Sequence, residues 1–248
     1  MRAEVQAQLL ALNQAFYATV AGDFDHTRSA VSTGMTQVVQ RSAPQLGNVG
    51  CGILDVGCGN GRFAWALEQA NGVADYVGVD NDPHLVQRAR EQVATLTHVR
   101  TAFVQADLAG AGWVERIPAT RRFDLVVCLA TLQHFPAYER RRRLIAEMAG
   151  RLAVDGRLVI SGWQFLEAAR FRQKQIAWET LGLHAQDVEA GDALLPWQQG
   201  GYAVRYVHQI DMAEMSRLAA DSGLTITEFF RADGKEGNLN LYVFLKVG

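Results

Sequence analysis

Ile53-Leu54-Asp55-Val56-Gly57-Cys58-Gly59-Asn60-Gly61-Arg62 is the stretch on which the reading of this chain turns. Its apolar run has the length of a buried strand, and it ends in glycines at alternate positions before helical spacing sets in at Phe63. A strand that empties into such a turn and then a helix cradles nucleotides, because glycine admits backbone conformations closed to other residues and lets a ligand touch the main chain. Two phosphate motifs are excluded by spacing. Dinucleotide loops run G-x-G-x-x-G, whereas this one runs G-x-G-x-G; a Walker loop needs a longer interval closed by Lys and Ser or Thr, where this chain has Arg62-Phe63. Asp55 stands at the mouth of the turn, and an acid there suits a ligand that brings a positive group.

Three further apolar runs close in the same manner. Asp75-Tyr76-Val77-Gly78-Val79-Asp80 ends in an acid about 20 residues beyond the loop, where nucleotide folds hold a ribose hydroxyl pair. Ala102-Phe103-Val104-Gln105-Ala106-Asp107-Leu108 closes on an acid suited to the exocyclic amine of an adenine. Phe123-Asp124-Leu125-Val126-Val127-Cys128-Leu129-Ala130 leads into Thr131-Leu132-Gln133-His134-Phe135-Pro136. S-adenosylmethionine combines the required parts: an ammonium and a sulfonium near Asp55, a ribose for Asp80 and an adenine for Asp107. The other reading of Asp80 and Asp107 is that each caps the helix that follows.

Around these motifs the pattern alternates. Strands are expected near 51–56, 75–79, 100–104, 123–129 and 156–162, and helices over 61–70, 83–95 and 138–152. Such alternation means a parallel sheet covered on both faces, with ligands at the carboxyl ends of the strands beside strand one. A helix at 211–222 and strands at 224–231 and 239–246 follow, the last two joined closely enough to form a hairpin that makes the final strand antiparallel. At the other end, Val5, Leu9, Leu10, Leu12, Phe16, Tyr17 and Val20 have a helical period over 4–20, which Gly22-Asp23 ends. A second helix is expected from Thr27 to Gln40, and Ala43 to Asn48 reads as a linker. Residues 163–200 break the alternation, with Trp163, Trp178 and Trp197 among Arg170, Arg172, Gln173 and Lys174. They read as a mostly helical insertion over the site, or as an appendage with buried tryptophans.

The succession of strand-ending motifs resembles the class I S-adenosylmethionine-dependent methyltransferases over residues 48 to 165. That resemblance implies an α/β, Rossmann-like fold with a seven-stranded, mostly parallel sheet, an antiparallel last strand, N-terminal helices and a helical insertion before the last two strands. A single methyltransferase domain over 1–248 would divide into an N-terminal helical cap (1–45), a cofactor-binding core (46–165), the insertion (166–200) and a C-terminal helix with the last two strands (201–248). It also implies an enzyme that uses S-adenosyl-L-methionine and leaves S-adenosyl-L-homocysteine. The residues it assigns to the cofactor are Tyr17, Arg28, Asp55, Gly57, Cys58, Gly59, Asn60, Gly61, Asp80, Asn81, Ala106, Asp107, Leu108, Leu129 and Ala130.

The flanks bear on the acceptor. Phe16-Tyr17, Phe24-Asp25 and Thr27-Arg28, then Leu194-Leu195-Pro196-Trp197, Arg205-Tyr206-Val207-His208 and Glu214, are similar to segments of the transfer-RNA methyltransferases that esterify a carboxymethyl group on wobble uridine. Ser32 stands where that family often has tryptophan, and Gln133-His134-Phe135 where it has His-His-Trp. The resemblance implies tRNA modification, and a small activator subunit in eukaryotic members. The alternative is an O- or N-methyltransferase for a small metabolite. A carboxylate acceptor, on tRNA or a small molecule, is already ionised at neutral pH and needs alignment without a base. Arg28, Arg205 and His208 are candidates to hold such a carboxylate or a nearby phosphate, or else form structural ion pairs. For a phenol, hydroxyl or amine acceptor His134 is the best general base in the chain; otherwise it only shapes the pocket. His134, Arg205 and His208 are thus the expected catalytic set. Tyr17 and Trp163 flank the sulfonium or an acceptor ring, or belong to the core.

Composition limits the remaining classes. With 248 residues, 49% hydrophobic and 20% charged, the chain can bury one substantial core. No apolar stretch is long enough to span a membrane and the N-terminus has no signal-peptide pattern, so the cytoplasm is the expected location. Cys51, Cys58 and Cys128 are odd in number and the histidines lack paired spacing, so reduced thiols and no metal are expected. A net charge of −2 excludes an indiscriminate nucleic-acid binder. The densest basic run, Glu139-Arg140-Arg141-Arg142-Arg143, backed by Arg121, Arg122, Arg170, Arg172 and Lys174, reads as a solvated helix face or a local basic surface.

Overall fold

The computed structural model describes residues 1–26, 30–46, 50–198 and 201–248. It begins with three helices, α1 (Ala3–His26), α2 (Thr33–Arg41) and α3 (Ala43–Leu46). The core then alternates: β1 (Cys51–Val56), α4 (Arg62–Gln69), β2 (Ala74–Asp80), α5 (Pro83–Gln92), β3 (Val99–Gln105), β4 (Phe123–Cys128), α6 (Tyr138–Ala149) and β5 (Leu152–Trp163). After a four-residue helix α7 (Ala169–Arg172) come β6 (Asp192–Trp197), β7 (Ala203–His208), α8 (Met212–Asp221), β8 (Leu224–Ala232) and β9 (Asn240–Val247).

Seven strands form one sheet in the order β3-β2-β1-β4-β5-β9-β8, and β9 runs antiparallel to both neighbours while the first five are parallel. Every residue of β1 is buried, as a strand covered on both faces requires. One face packs on α6 and α8 through Leu144, Ile145, Met148, Met215 and Leu218. The other packs on α2 and α4 through Val38, Val39, Phe63 and Leu67. Strand order reverses at β1, between β2 and β4, which opens a crevice beyond their carboxyl ends.

Several elements depart from the sequence expectation. Helix α1 continues past Gly22-Asp23 to His26, because these two residues together cost a helix only about 1–2 kcal/mol and do not by themselves end it. Helix α2 starts at Thr33, where Ser32 caps it by accepting from the Met35 amide at 3.2 Å; residues 27–29 lie outside the described residues. The linker at 43–46 is a helical turn. The insertion is not mostly helical. It holds the short α7 and 3-10 turns, then ends in β6, which pairs with β7 as a separate two-stranded antiparallel sheet. The strand-forming Asp192-Ala193-Leu194-Leu195 and Ala203-Val204-Arg205-Tyr206-Val207-His208 flank a glycine-bearing segment, and those glycines are a hairpin signal. Helix α1 lies on this hairpin, with Val5 and Leu9 against Leu194 and Tyr206 in a cluster of their own.

Candidate functional site

A cavity of about 550 Å³ opens over the carboxyl ends of β1, β2 and β4, between α1 and α5. Its volume falls in the range of small-molecule and cofactor sites. Of the predicted cofactor residues, Tyr17, Asp55, Gly57, Cys58, Gly59, Asn60, Asp80, Asn81, Asp107, Leu108, Leu129 and Ala130 line it. Gly61 and Ala106 do not line it: Gly61 packs on α5, where an added Cβ would meet Val93 and Ala89, and the Ala106 amide donates to the Asp80 carbonyl at 3.0 Å. Arg28 lies outside the described residues.

The loop after β1 is built by its glycines and by Asp80. Gly57 and Cys58 both donate their amides to the Val79 carbonyl, at 2.8 and 3.1 Å, which folds the chain back at the strand end. Asp80 then accepts from the Gly59 amide at 2.8 Å through one oxygen and from the Asp82 amide at 3.0 Å through the other. The cap of α5 is Asp82, which accepts from the His84 and Leu85 amides; Asp80 is therefore not a helix cap. Gly57, at φ +81, sits where an added Cβ would collide with the Thr131 side chain, so the loop and the segment after β4 pack backbone to side chain. Gly59, at φ +53, has nothing within 4 Å of where its Cβ would be. That open cradle beside Asp80 is where a ligand can rest on the main chain, and it fits S-adenosylmethionine.

Charge in the cavity fits it too. Asp55, Asp80, Asp82 and Asp107 face Arg62 and His84 there, so the wall favours a ligand bearing positive charge. Asp55 is buried and accepts the Tyr76 hydroxyl at 2.6 Å. Burial pushes its carboxyl up to about 7, the Tyr76 hydrogen bond opposing and Asp80 assisting. Burial likewise raises Asp80, against its amide hydrogen bonds. Asp107 is exposed and accepts from the Ala109 amide at 2.9 Å, so it shapes its own turn while it borders the cavity.

The far wall comes from α1 and the 3-10 turn Leu132–His134 that follows β4. Tyr17 and His134 meet there, with the Tyr17 hydroxyl 2.9 Å from His134 Nε2 and the rings edge to face at 5.6 Å. Gln133 fixes the turn by accepting from the Trp163 amide at 3.1 Å. Asn13, Gln14, Leu10 and Met35 also line this wall, and sequence reasoning does not find them. The one signal for Asn13 is a polar residue in the apolar stripe of Leu9, Leu12 and Phe16.

Two predicted catalytic residues lie elsewhere. Arg205 is 6% exposed and outside the cavity lining, its guanidinium between the rings of Trp163, Phe16 and Trp197 at 5.0, 5.4 and 5.7 Å. Trp163 is accordingly a core residue. His208 is buried between carboxylates, with Nδ1 2.6 Å from Asp192 and Nε2 2.7 Å from Glu214. Burial pulls its pKa down, but these two bonds hold it above the ordinary value. Arg141 completes this cluster through Glu214 at 2.9 Å and Glu189 at 2.7 Å. His208 is thus a structural ion-pair member, held where acids close over its imidazole. Glu189, Asp192 and His208 bring ligand-type atoms within 4.8 Å of one another, a grouping that the histidine-pair spacing does not reveal. Both ring nitrogens of His208 are already bonded to carboxylates, and Arg141 supplies a second cation.

The arginine run is no open face. Arg141 is buried; Arg140 donates to Gln6 and the Ala109 carbonyl, Arg143 to the Ala109 and Gly110 carbonyls, and Arg142 to Glu139. Arg170 pairs with Glu236, and Arg122 and Arg172 bond backbone carbonyls. The run fastens the loop after β3 and the start of α1. None of the described helices is long and apolar enough to cross a membrane.

Comparison with known proteins agrees with this geometry. Residues 53–156 match the family model described as a methyltransferase domain. Over 184 residues the chain is 27% identical to the probable tRNA methyltransferase 9B of Homo sapiens, covering 74% of this chain and 32% of that protein. Over 88 residues it is 32% identical to the magnesium-protoporphyrin O-methyltransferase of Rhodobacter capsulatus, 36% of this chain and 35% of that one. The chain thus spans about a third of the length of these curated relatives. Among solved structures, a S-adenosylmethionine-dependent methyltransferase from Clostridium acetobutylicum superposes with a TM-score of 0.67 at 12% identity, covering 94% of this chain and 99% of that one. The magnesium protoporphyrin IX methyltransferase of Synechocystis PCC 6803, solved with bound S-adenosylhomocysteine, gives 0.65 at 20% identity over 96% and 99%. These likenesses bear out the Rossmann-like methyltransferase fold.

Proposed function

We propose that this chain, a class I S-adenosylmethionine-dependent methyltransferase, methylates an oxygen or nitrogen of a small-molecule acceptor that loses a proton in the reaction. The observation that carries this reading is the Tyr17 hydroxyl 2.9 Å from His134 Nε2 on the cavity wall facing the glycine loop. A carboxylate acceptor needs no base, whereas an oriented histidine at the reacting end serves an acceptor that must be deprotonated.

S-adenosylmethionine, when bound, supplies an electrophilic methyl group on its sulfonium. The chain's own residues do the remaining work. The main chain at Gly57 to Gly59 and the Asp55 carboxylate would hold the cationic end, Asp80 the ribose hydroxyls, and Asp107 with Leu108 the adenine edge. His134 Nδ1 faces the Tyr206 carbonyl at 3.4 Å, an acceptor that requires Nδ1 to carry the proton. Nε2 then presents its lone pair to the Tyr17 hydroxyl and can take the acceptor's proton directly or across that hydroxyl. Leu129, Phe135 and Met35 give the cavity apolar walls that exclude water.

Esterification of a carboxymethyl group on a tRNA uridine is the second reading, favoured by the match to tRNA methyltransferase 9B over 74% of this chain. An activator subunit would belong to it. Against it stands the arginine run, whose cations are bonded within the fold. Incubation with methyl-labelled cofactor and either hypomodified tRNA or pools of phenols, alcohols and amines separates the two. Label in a small acceptor, lost about 100-fold or more with His134→Ala at neutral pH, is expected. Label in a uridine ester, with His134→Ala retaining turnover, would replace the first reading by the second.

A further inference from the structure

We propose that Asn13 is a positioning residue for proton removal: from α1 it ties the His134 carbonyl to the Tyr206 amide, and so keeps His134 with its proton on Nδ1 and its lone pair on Nε2. This rests on the reading of His134 as the base.

Asn13 is 5% exposed on a helix face that is otherwise apolar. A carboxamide in that position requires partners for both ends. Its Oδ1 accepts from the Tyr206 amide at 2.8 Å and its Nδ2 donates to the His134 carbonyl at 3.3 Å. The orientation of the amide is not arbitrary. An N–H faces one end and a C=O the other, so only one flip satisfies both. Tyr206 lies opposite Leu194 in the β6–β7 hairpin, and the Leu194 carbonyl accepts from Ile176 on its other side. The main-chain groups of Tyr206 therefore point outward from the hairpin, its amide to Asn13 and its carbonyl to His134 Nδ1.

Asn13, His134 and Tyr206 form a closed three-cornered unit, in which the Asn13 side chain bonds both of the others. The next residue is held as well: the Phe135 carbonyl accepts from Arg141 at 2.9 Å, and the Tyr206 hydroxyl is fixed on Asp192 at 2.6 Å. The turn and the hairpin are both anchored from below by the Arg141 network, and Asn13 is the side chain that bonds the main chain of His134 and of Tyr206 directly, so it holds His134 Nδ1 within reach of the Tyr206 carbonyl. At 3.4 Å that bond is at the long end of the useful range, so a small separation of hairpin and turn breaks it. The ring is then free to take the opposite tautomer, whose Nε2 carries a proton and accepts none.

Long-range ¹H–¹⁵N correlation spectra of the histidine rings test this without an acceptor. They are recorded at a pH where His134 is neutral, for the wild type, Asn13→Leu and Asn13→Asp, each with saturating S-adenosylhomocysteine. The wild type is expected to hold the Nδ1–H form in at least about tenfold excess, the ratio that one net hydrogen bond sustains. Both variants are expected to fall below about threefold while binding S-adenosylhomocysteine within about threefold of the wild type. Asn13→Asp keeps the size and the Tyr206 bond's acceptor position, so it answers the objection that Leu simply disturbs α1. Unchanged tautomer ratios in both folded variants would overturn the role of Asn13 alone. A wild-type ring in the Nε2–H form would overturn the base assignment with it.

Discussion

Replacing Asp55 by Asn probes the electrostatics of the cavity, because Asn is a neutral mimic of protonated Asp. Asp55 lies almost fully buried near the end of β1, its Oδ2 accepting the Tyr76 hydroxyl. Burial lifts its carboxyl from an ordinary 3.8 to about 7, the Tyr76 bond pulling against the rise and Asp80 adding to it. The unfolded chain thus releases this proton near pH 4 and the folded chain near pH 7. Between those values the native state holds more protons, so stability falls as pH rises. The contribution is fully present below about pH 4 and lost by the time pH passes about 7, a total of about 4 kcal/mol at about 1.4 per unit. Guanidinium unfolding of both proteins from pH 4.5 to 8.5 measures it. The carboxamide cannot ionise, so the Asp55→Asn variant should gain steadily on the wild type as pH rises and lead by a few kcal/mol at about pH 8. A difference that stays flat with pH, or a wild type that gains on the variant, would show that Asp55 is ionised in the folded protein across this range and that burial does not raise its carboxyl.

The same group couples proton and ligand. A cationic ligand beside Asp55 favours the carboxylate, so S-adenosylmethionine binding should expel about half a proton per site at pH 7 and almost none two units higher. Calorimetry in buffers of different ionisation enthalpy reads this release, and Asp55→Asn should abolish it. Gly59→Ala should fold, since its Cβ meets open space, at a cost of about 1 kcal/mol for the left-handed backbone, yet lose at least about tenfold in S-adenosylhomocysteine affinity because the methyl projects into the cradle. Gly57→Ala collides with Thr131 and should lose stability first, by about 1–3 kcal/mol more than Gly59→Ala in thermal melts. His208→Ala leaves Asp192 buried without a cation and Glu214 with Arg141 alone, and should lower stability by about 3–5 kcal/mol. The His208 pKa is raised, so its contribution is full below the ordinary 6.5 and declines as pH climbs through the higher folded value; the gap between wild type and variant should narrow at alkaline pH. Equal gaps at about pH 6 and about pH 9 would count against a protonated His208.

The cofactor half of the site is legible in the sequence because its information is local. Each of β1, β2 and β4 ends in a motif whose residues act within a few positions of one another, and parallel topology gathers strand ends at one edge regardless of the rest. The Asp80 carboxylate binding the Gly59 amide across 21 residues is the longest link that reading needs. The other half is hidden because it depends on long-range pairing. Asn13 finds its partners at separations of 121 and 193 residues, and nothing in α1 announces them beyond a polar residue out of pattern. The strands of the β6–β7 hairpin are short, β6 carries Pro196, and tryptophans that suit either structure stand around them, so the glycines between them are the one local signal of the hairpin.

Charge misleads for a related reason. Arg205 and His208 have the pattern of acceptor contacts, and the arginine run that of a solvated or basic face, because charged residues near a site are usually solvated or functional. In this fold they build the wall on which the site rests: Arg141 and His208 together meet Asp192, Glu189 and Glu214, and Arg141 also holds the Phe135 carbonyl beside His134. A buried network of this kind contributes little net stability compared with apolar packing, but it fixes distances, since each ion loses several kcal/mol if its partner moves away. That rigidity matters at one place in the molecule. Tyr206 of the hairpin and His134 of the turn after β4 are bridged by Asn13, and the tautomer of His134 depends on how far apart they stand. The wall opposite the cofactor motifs comes from α1 and that turn, whose polar groups at the cavity are the uncharged Asn13, Gln14 and Tyr17 together with His134. Acceptor specificity should therefore follow shape and hydrogen bonding at this wall more than charge.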